Sequence, residues 1–63
     1  MSHIEIKIET DNSAFVDQGG IGHEVARILR QLANNIEFGA EDTSIGLLDV
    51  NGNRVGSYHH FHD

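Results

Sequence analysis

Sixty-three residues, 38% hydrophobic, with no Cys and no Pro, make one small domain (1–63) with a thin core and no disulfide to staple it. A chain of this size buries only about 60% of the surface its unfolded form exposes, so it needs regular packing, a metal or a partner subunit. Ten acidic against four basic residues give a net charge of −6, which argues against binding a nucleic-acid backbone and suits a partner that is itself basic.

Residues 3–10 read as a strand. Ile4, Ile6 and Ile8 alternate with Glu5, Lys7 and Glu9, which is the period of a half-buried strand with its isoleucines toward a core. A one-residue slip would turn every Ile outward, so the register is well specified. The same alternation is not the basic start and apolar run of a signal peptide, and no stretch of about 18 apolar residues is present to span a membrane. Together with the absence of Cys, this makes cytoplasm the expected compartment.

Residues 11–22 read as a joint. Asp11-Asn12-Ser13 is turn chemistry, because each short polar side chain can bond nearby backbone. Phe15 and Val16 are expected to tuck this joint onto the core. Gly19-Gly20-Ile21-Gly22 precedes a helix but lacks the Gly-Lys-Ser/Thr ending of a phosphate loop.

Residues 22–37 read as a helix. Val25, Ile28, Leu29, Leu32, Ala33 and Ile36 form one apolar stripe at helical period, with Arg27, Arg30, Gln31, Asn34 and Asn35 on the other side. Glu24 in the first turn suits the helix dipole, Gly39 is placed to end the helix, and Phe38 is placed to pack back over the last turn.

Residues 43–62 read as a hairpin turning at Asp49-Val50-Asn51-Gly52. Asp first and Gly fourth suit a type I turn followed by a left-handed Gly, which sets Leu47 opposite Val55. A two-residue Asn51-Gly52 turn would pair Leu48 with Val55 instead. The order is β-α-β-β: an α+β domain with one helix on a three-stranded, mainly antiparallel sheet. No second helix covers the other sheet face, where Leu48 or Ile45, Tyr58 and Phe61 fall according to register. A homodimer would cover that face or join two edge strands.

The C-terminal Tyr58-His59-His60-Phe61-His62-Asp63 is the most unusual stretch. If the last strand runs through it, His60 and His62 share a face with Tyr58 and both can reach a metal such as zinc, with Asp63, His3 or His23 as a third ligand. A solvated polar terminus is the simpler reading. Asp49-x-Asn51-x-Asn53 begins like a calcium loop, but Arg54 and His60 stand where Gly and Glu are needed. No Cys nucleophile and no Gly-x-Ser-x-Gly elbow exist, and nothing in the carboxylate spacing selects an acid–base pair, so no enzyme is expected. Glu5, Glu9, Glu37, Glu41 and Asp42 are instead candidates for a partner-binding surface. Acids spaced like phosphates can occupy a basic nucleic-acid groove on another protein.

The runs Ile4-Glu5-Ile6-Lys7-Ile8-Glu9-Thr10-Asp11-Asn12-Ser13-Ala14-Phe15, Val25-Ala26-Arg27-Ile28-Leu29-Arg30-Gln31-Leu32-Ala33 and Asp49-Val50-Asn51-Gly52-Asn53-Arg54-Val55-Gly56 resemble a family of very short phage and prophage proteins. That resemblance covers all but the His-rich end. It implies a phage accessory protein in the bacterial cytoplasm, of the kind that blocks host machinery including CRISPR nucleases. The leading expectation is therefore a non-enzymatic, protein-binding, dimeric inhibitor of a bacterial defence or nucleic-acid-handling complex. The alternatives are a metal-binding regulator using His60 and His62, or a small structural phage component.

Overall fold

The computed structural model describes residues 2–17, 19–39 and 43–62. Strand β1 spans Ser2–Ile8, a short helix α1 Ala14–Asp17, the long helix α2 Ile21–Phe38, strand β2 Ser44–Leu48 and strand β3 Arg54–His62. The strands form one antiparallel sheet in the order β1-β3-β2, with α2 packed on one face. This is the expected β-α-β-β arrangement, with α1 as an addition inside the joint. Asn12 starts α1 by accepting the Ala14 N–H on its Oδ1 at 2.9 Å, as a capping side chain does. Phe15 is then fully enclosed beside buried Ala14, but Val16 points to solvent at 70% exposure and does not tuck onto the core.

The hairpin turn forms as the residue types predict. The Gly52 N–H donates to the Asp49 carbonyl at 3.0 Å, the Asp49 N–H donates to the Asn53 carbonyl at 2.9 Å, and Gly52 has φ +86°. Leu48 faces Arg54, in step with the four-residue turn, but the expected pairing of Leu47 with Val55 does not form. The next pair is Leu47 with Gly56, so Val55 is an extra residue without a partner in β2. The reason lies in the side chains. Val55 and Tyr58 are three apart, and a regular strand would send them to opposite faces. The bulge brings both into the core, where they are 8% and 6% exposed. Gly56 lies at this bulge because a Cβ there would collide with the Lys7 carbonyl of β1. Tyr58 therefore belongs to the core face and not to the uncovered one, and Ile45 packs against the same core.

The core consists of Ala14, Phe15, Ile28, Leu32, Leu47, Val55 and Tyr58, with Ile8, Val25 and Ile45 packed at its margin. It occupies one end of the sheet, beside the hairpin turn. Ile4 and Ile6 lie on the same sheet face as Tyr58 and Leu47, yet they are 53% and 47% exposed. The helix does not reach them. Leu29, Ile36 and Phe38 are exposed as well, so the buried part of the helix stripe is Val25, Ile28 and Leu32, and Phe38 does not fold back. The molecule measures 39 × 21 × 17 Å with a radius of gyration of 12.3 Å, where a compact domain of this length has about 10.6 Å.

Candidate functional site

Two polar clusters and one apolar surface stand out, at opposite ends of the sheet. At the hairpin end, two carboxylates are buried, Glu24 at 1% and Asp49 at 4% exposure. Glu24 leaves the first turn of α2 toward the hairpin. It accepts from Arg27 Nε at 2.8 Å and Nη2 at 3.1 Å, and from the Val50 N–H at 2.8 Å. Arg27 Nη2 also donates to the Leu48 carbonyl at 3.1 Å, so this side chain joins the hairpin and is not part of a free polar face. The Arg27 guanidinium holds the Glu24 carboxyl below its usual range. Burial opposes that, and the Val50 N–H adds to it. Arg27 is raised in turn, chiefly by its hydrogen bonds to Glu24.

Asp49 organises the turn. Its Oδ1 accepts the Asn51 and Asn53 N–H groups, each at 2.9 Å. Its Oδ2 accepts Asn12 Nδ2 at 2.8 Å and Asn53 Nδ2 at 3.3 Å. Burial, the largest single influence, pushes this carboxyl up, but the donors from Asn53, Asn12 and Asn51 outweigh it and hold it low. Asp49 thus spends both carboxylate oxygens on the turn and on Asn12, in keeping with a turn reading of Asp49-x-Asn51-x-Asn53. This network ties β1's following loop, α2 and the hairpin together, and it is structural. Asn12, Glu24 and Arg27 were not legible as its members. The only local signal was the three-residue spacing of Glu24 and Arg27.

The other end of the sheet carries the candidate residues. β3 runs through His62, so His60 and His62 do share a face with Tyr58, and their rings lie 4.0 Å apart at 48°. Across β1 they face Ile4 and Ser2. His3 does not join them, because it lies opposite Phe61 on the other face. There it stacks on Phe61 at 4.9 Å and meets Glu5 Oε2 at 2.9 Å. His23 does not join them either. It precedes Glu24 at the hairpin end of the sheet. Asp63 lies outside the described residues. Among the described residues no group of three or more His, Cys, Asp or Glu side chains converges as a metal site.

The candidate acids do not form one surface. Glu5 and Glu9 lie on the sheet face away from the helix, and each has a basic neighbour, His3 for Glu5 and Lys7 at 3.6 Å for Glu9. Glu37 lies on α2, in the other layer. Glu41 and Asp42 fall outside the described residues. The outer face also carries exposed Leu48 and Phe61, with His59 beside Phe61 at 5.8 Å. A groove of about 520 Å³ at the hairpin end of β1 and β3 is lined by Lys7 and Arg54 as well as Glu9 and Asp11, and its balanced charges select no ligand sign.

No protein-family model, no curated protein and no solved structure matches the chain. No helix among the described residues is long and apolar enough to cross a membrane.

Proposed function

We propose that this chain is a non-enzymatic protein-binding module that pairs with a second copy through the uncovered end of its sheet. The observation that carries this is the half-exposure of Ile4 and Ile6 on the face that holds the core. A strand patterned to bury its isoleucines leaves two of them in water unless a neighbour covers them. The surface area points the same way. The chain exposes 4436 Å², where a folded monomer of 7.0 kDa exposes about 4000 Å². A standard interface removes about 800 Å² from each partner, so one such contact more than absorbs the excess. β1 is also an edge strand with one side unpaired in the sheet.

The paired module then presents its acids outward. With a net charge of −6 and the phage-like segments, its target is a basic, nucleic-acid-handling complex of a bacterial host, such as a CRISPR nuclease, which it blocks by contact. Light scattering on the purified chain tests the pairing. The expected mass is twice the monomer's, falling to the monomer's in Ile4→Lys/Ile6→Lys; a wild type that stays monomeric at about 1 mM, a weak-binding concentration, overturns it. The inhibitor reading is tested in bacteria with an active CRISPR system. Targeted phage should form plaques only when the chain is expressed, and less so with Glu5→Gln, Glu9→Gln and Glu37→Gln combined. No protection in any host, or full protection by the triple variant, removes the electrostatic mechanism.

A further inference from the structure

We propose that His60 and His62 are half of a divalent transition-metal site, completed by the same two residues of a second copy. This rests on the pairing through Ile4 and Ile6 proposed above, and it names what regulates that pairing. The two imidazoles occur at i and i+2 of β3 on one face, with ring centroids 4.0 Å apart, so the two rings lie side by side within reach of one ion. Two ligands are too few for zinc, which takes four in a closed tetrahedral site. Among the described residues nothing supplies a third, since His3 is on the opposite face and His23 at the opposite end. A twofold contact changes the count. In an isologous interface each patch is used twice, so two histidines become four.

Position and charge both favour this occupant. His60 faces Ile4 across β1, so the pair lies beside the apolar surface that a second copy covers. Closing that surface would carry the imidazoles into the contact and exclude water around them. Two copies at −6 each repel one another, and a divalent cation held between them offsets part of that repulsion. Imidazole is a good ligand for zinc, copper and nickel and a poor one for calcium and magnesium, so the site selects the former group.

Sedimentation equilibrium with and without zinc chloride, after stripping with EDTA, tests this together with calorimetric stoichiometry. The expected result is one zinc per two chains, with association tightened on the order of 100-fold when free zinc is about 100 times its dissociation constant. His60→Gln/His62→Gln should lose the zinc response, while His3→Gln/His23→Gln should keep it. One zinc per chain with unchanged mass, zinc binding no tighter than about 100 μM, or a zinc response that survives His60→Gln/His62→Gln overturns the site. The metal-free mass scores the isoleucine contact separately. An EDTA-treated wild type that dimerises, alongside a monomeric Ile4→Lys/Ile6→Lys variant, keeps that contact even where the zinc site fails.

Discussion

The two ends of this sheet are built from similar side chains and end up in opposite environments. At the hairpin end, Ile28 and Leu32 of α2 press on Leu47, Val55 and Tyr58, and Phe15 closes the side. At the far end, Ile4 and Ile6 point the same way as that core and meet no helix. What distinguishes them is polar anchoring. Glu24, Arg27, Asp49 and Asn12 bind the start of α2 and the joint to the hairpin backbone, which fixes the helix over one end of the sheet. The open end is joined by strand pairing, of β1 with β3 on one side and of Thr43, Ser44 and Ile45 with β3 on the other. An apolar strand face thus specifies that something must cover it, while the polar contacts decide where the chain's own helix lies.

The largest expected break in that contrast is Ile28→Ala. Ile28 is 2% exposed, and truncating such a residue costs about 2–5 kcal/mol. A chain of 63 residues has roughly 3–9 kcal/mol in total, so the loss is a large share of it, and the thermal midpoint by circular dichroism should fall by about 10–40 °C. Asp49→Ala comes next. It strips four donors of their acceptor and leaves part of them buried, so the midpoint should fall by about 10 °C or more. Glu24→Ala should do similar damage by leaving Arg27 and the Val50 N–H without a partner. An Asp49→Ala midpoint within a degree or two of wild type would mean the network does not anchor the hairpin end.

Acid should act on the same end. Glu24 and Asp49 are both held below the usual carboxyl values of 4.5 and 3.8. In such a case the unfolded chain takes up protons first as pH drops, so the folded state loses ground there. The stabilisation is complete above about pH 5. It is lost as pH falls through the ordinary values and then through the lowered folded ones. A melting series from pH 7 to pH 2 should show this decline. Glu24→Gln/Asp49→Asn should begin lower at pH 7 and fall less steeply, and a parallel pair of curves would place the acid sensitivity elsewhere.

Much of the closed end was legible because it is local. The three-four spacing of Val25, Ile28 and Leu32, the alternation of β1 and the Asp49-to-Gly52 turn all act within a few residues. The burial of Glu24 was not, because its partner at Val50 is 26 residues away and its place in the first turn already had an explanation in the helix dipole. The bulge had a readable clue. Val55 and Tyr58 are both bulky and odd-spaced in one strand, with a Gly between them, which a regular strand cannot bury together. The exposure of Ile4 and Ile6 had no clue, since pattern tells which face a residue takes and not how far a helix extends over it. The C-terminal histidines were placed on the right faces by alternation. Which side chains lie beside them depended on the pairing of β1 with β3, which sets Ile4 opposite His60 and sends His3 to the other face.

Gly52→Ala sharpens the contrast with a smaller effect. Gly52 has φ +86° with open space around it, so the added methyl brings only the left-handed penalty, about 1 kcal/mol. The midpoint should fall by roughly 4–8 °C with the sheet unchanged by circular dichroism.

The smallest effect should come from the change closest in chemistry to the largest. Ile6→Ala removes the same atoms as Ile28→Ala, but from a side chain that is 47% exposed in the single chain. No cavity forms on a surface that solvent already reaches, so the monomer should lose under about 1 kcal/mol, within the range of surface substitutions. Protein concentration then separates the two roles. If a second copy covers Ile6, the wild-type midpoint rises with concentration by mass action, and Ile6→Ala flattens that rise while hardly changing the dilute value. Ile28→Ala should shift the midpoint at every concentration by a similar amount. A wild-type midpoint that does not move over a hundredfold range of concentration would mean that Ile6 faces water in solution as it does in the single chain, and the two ends would then differ in burial without differing in function.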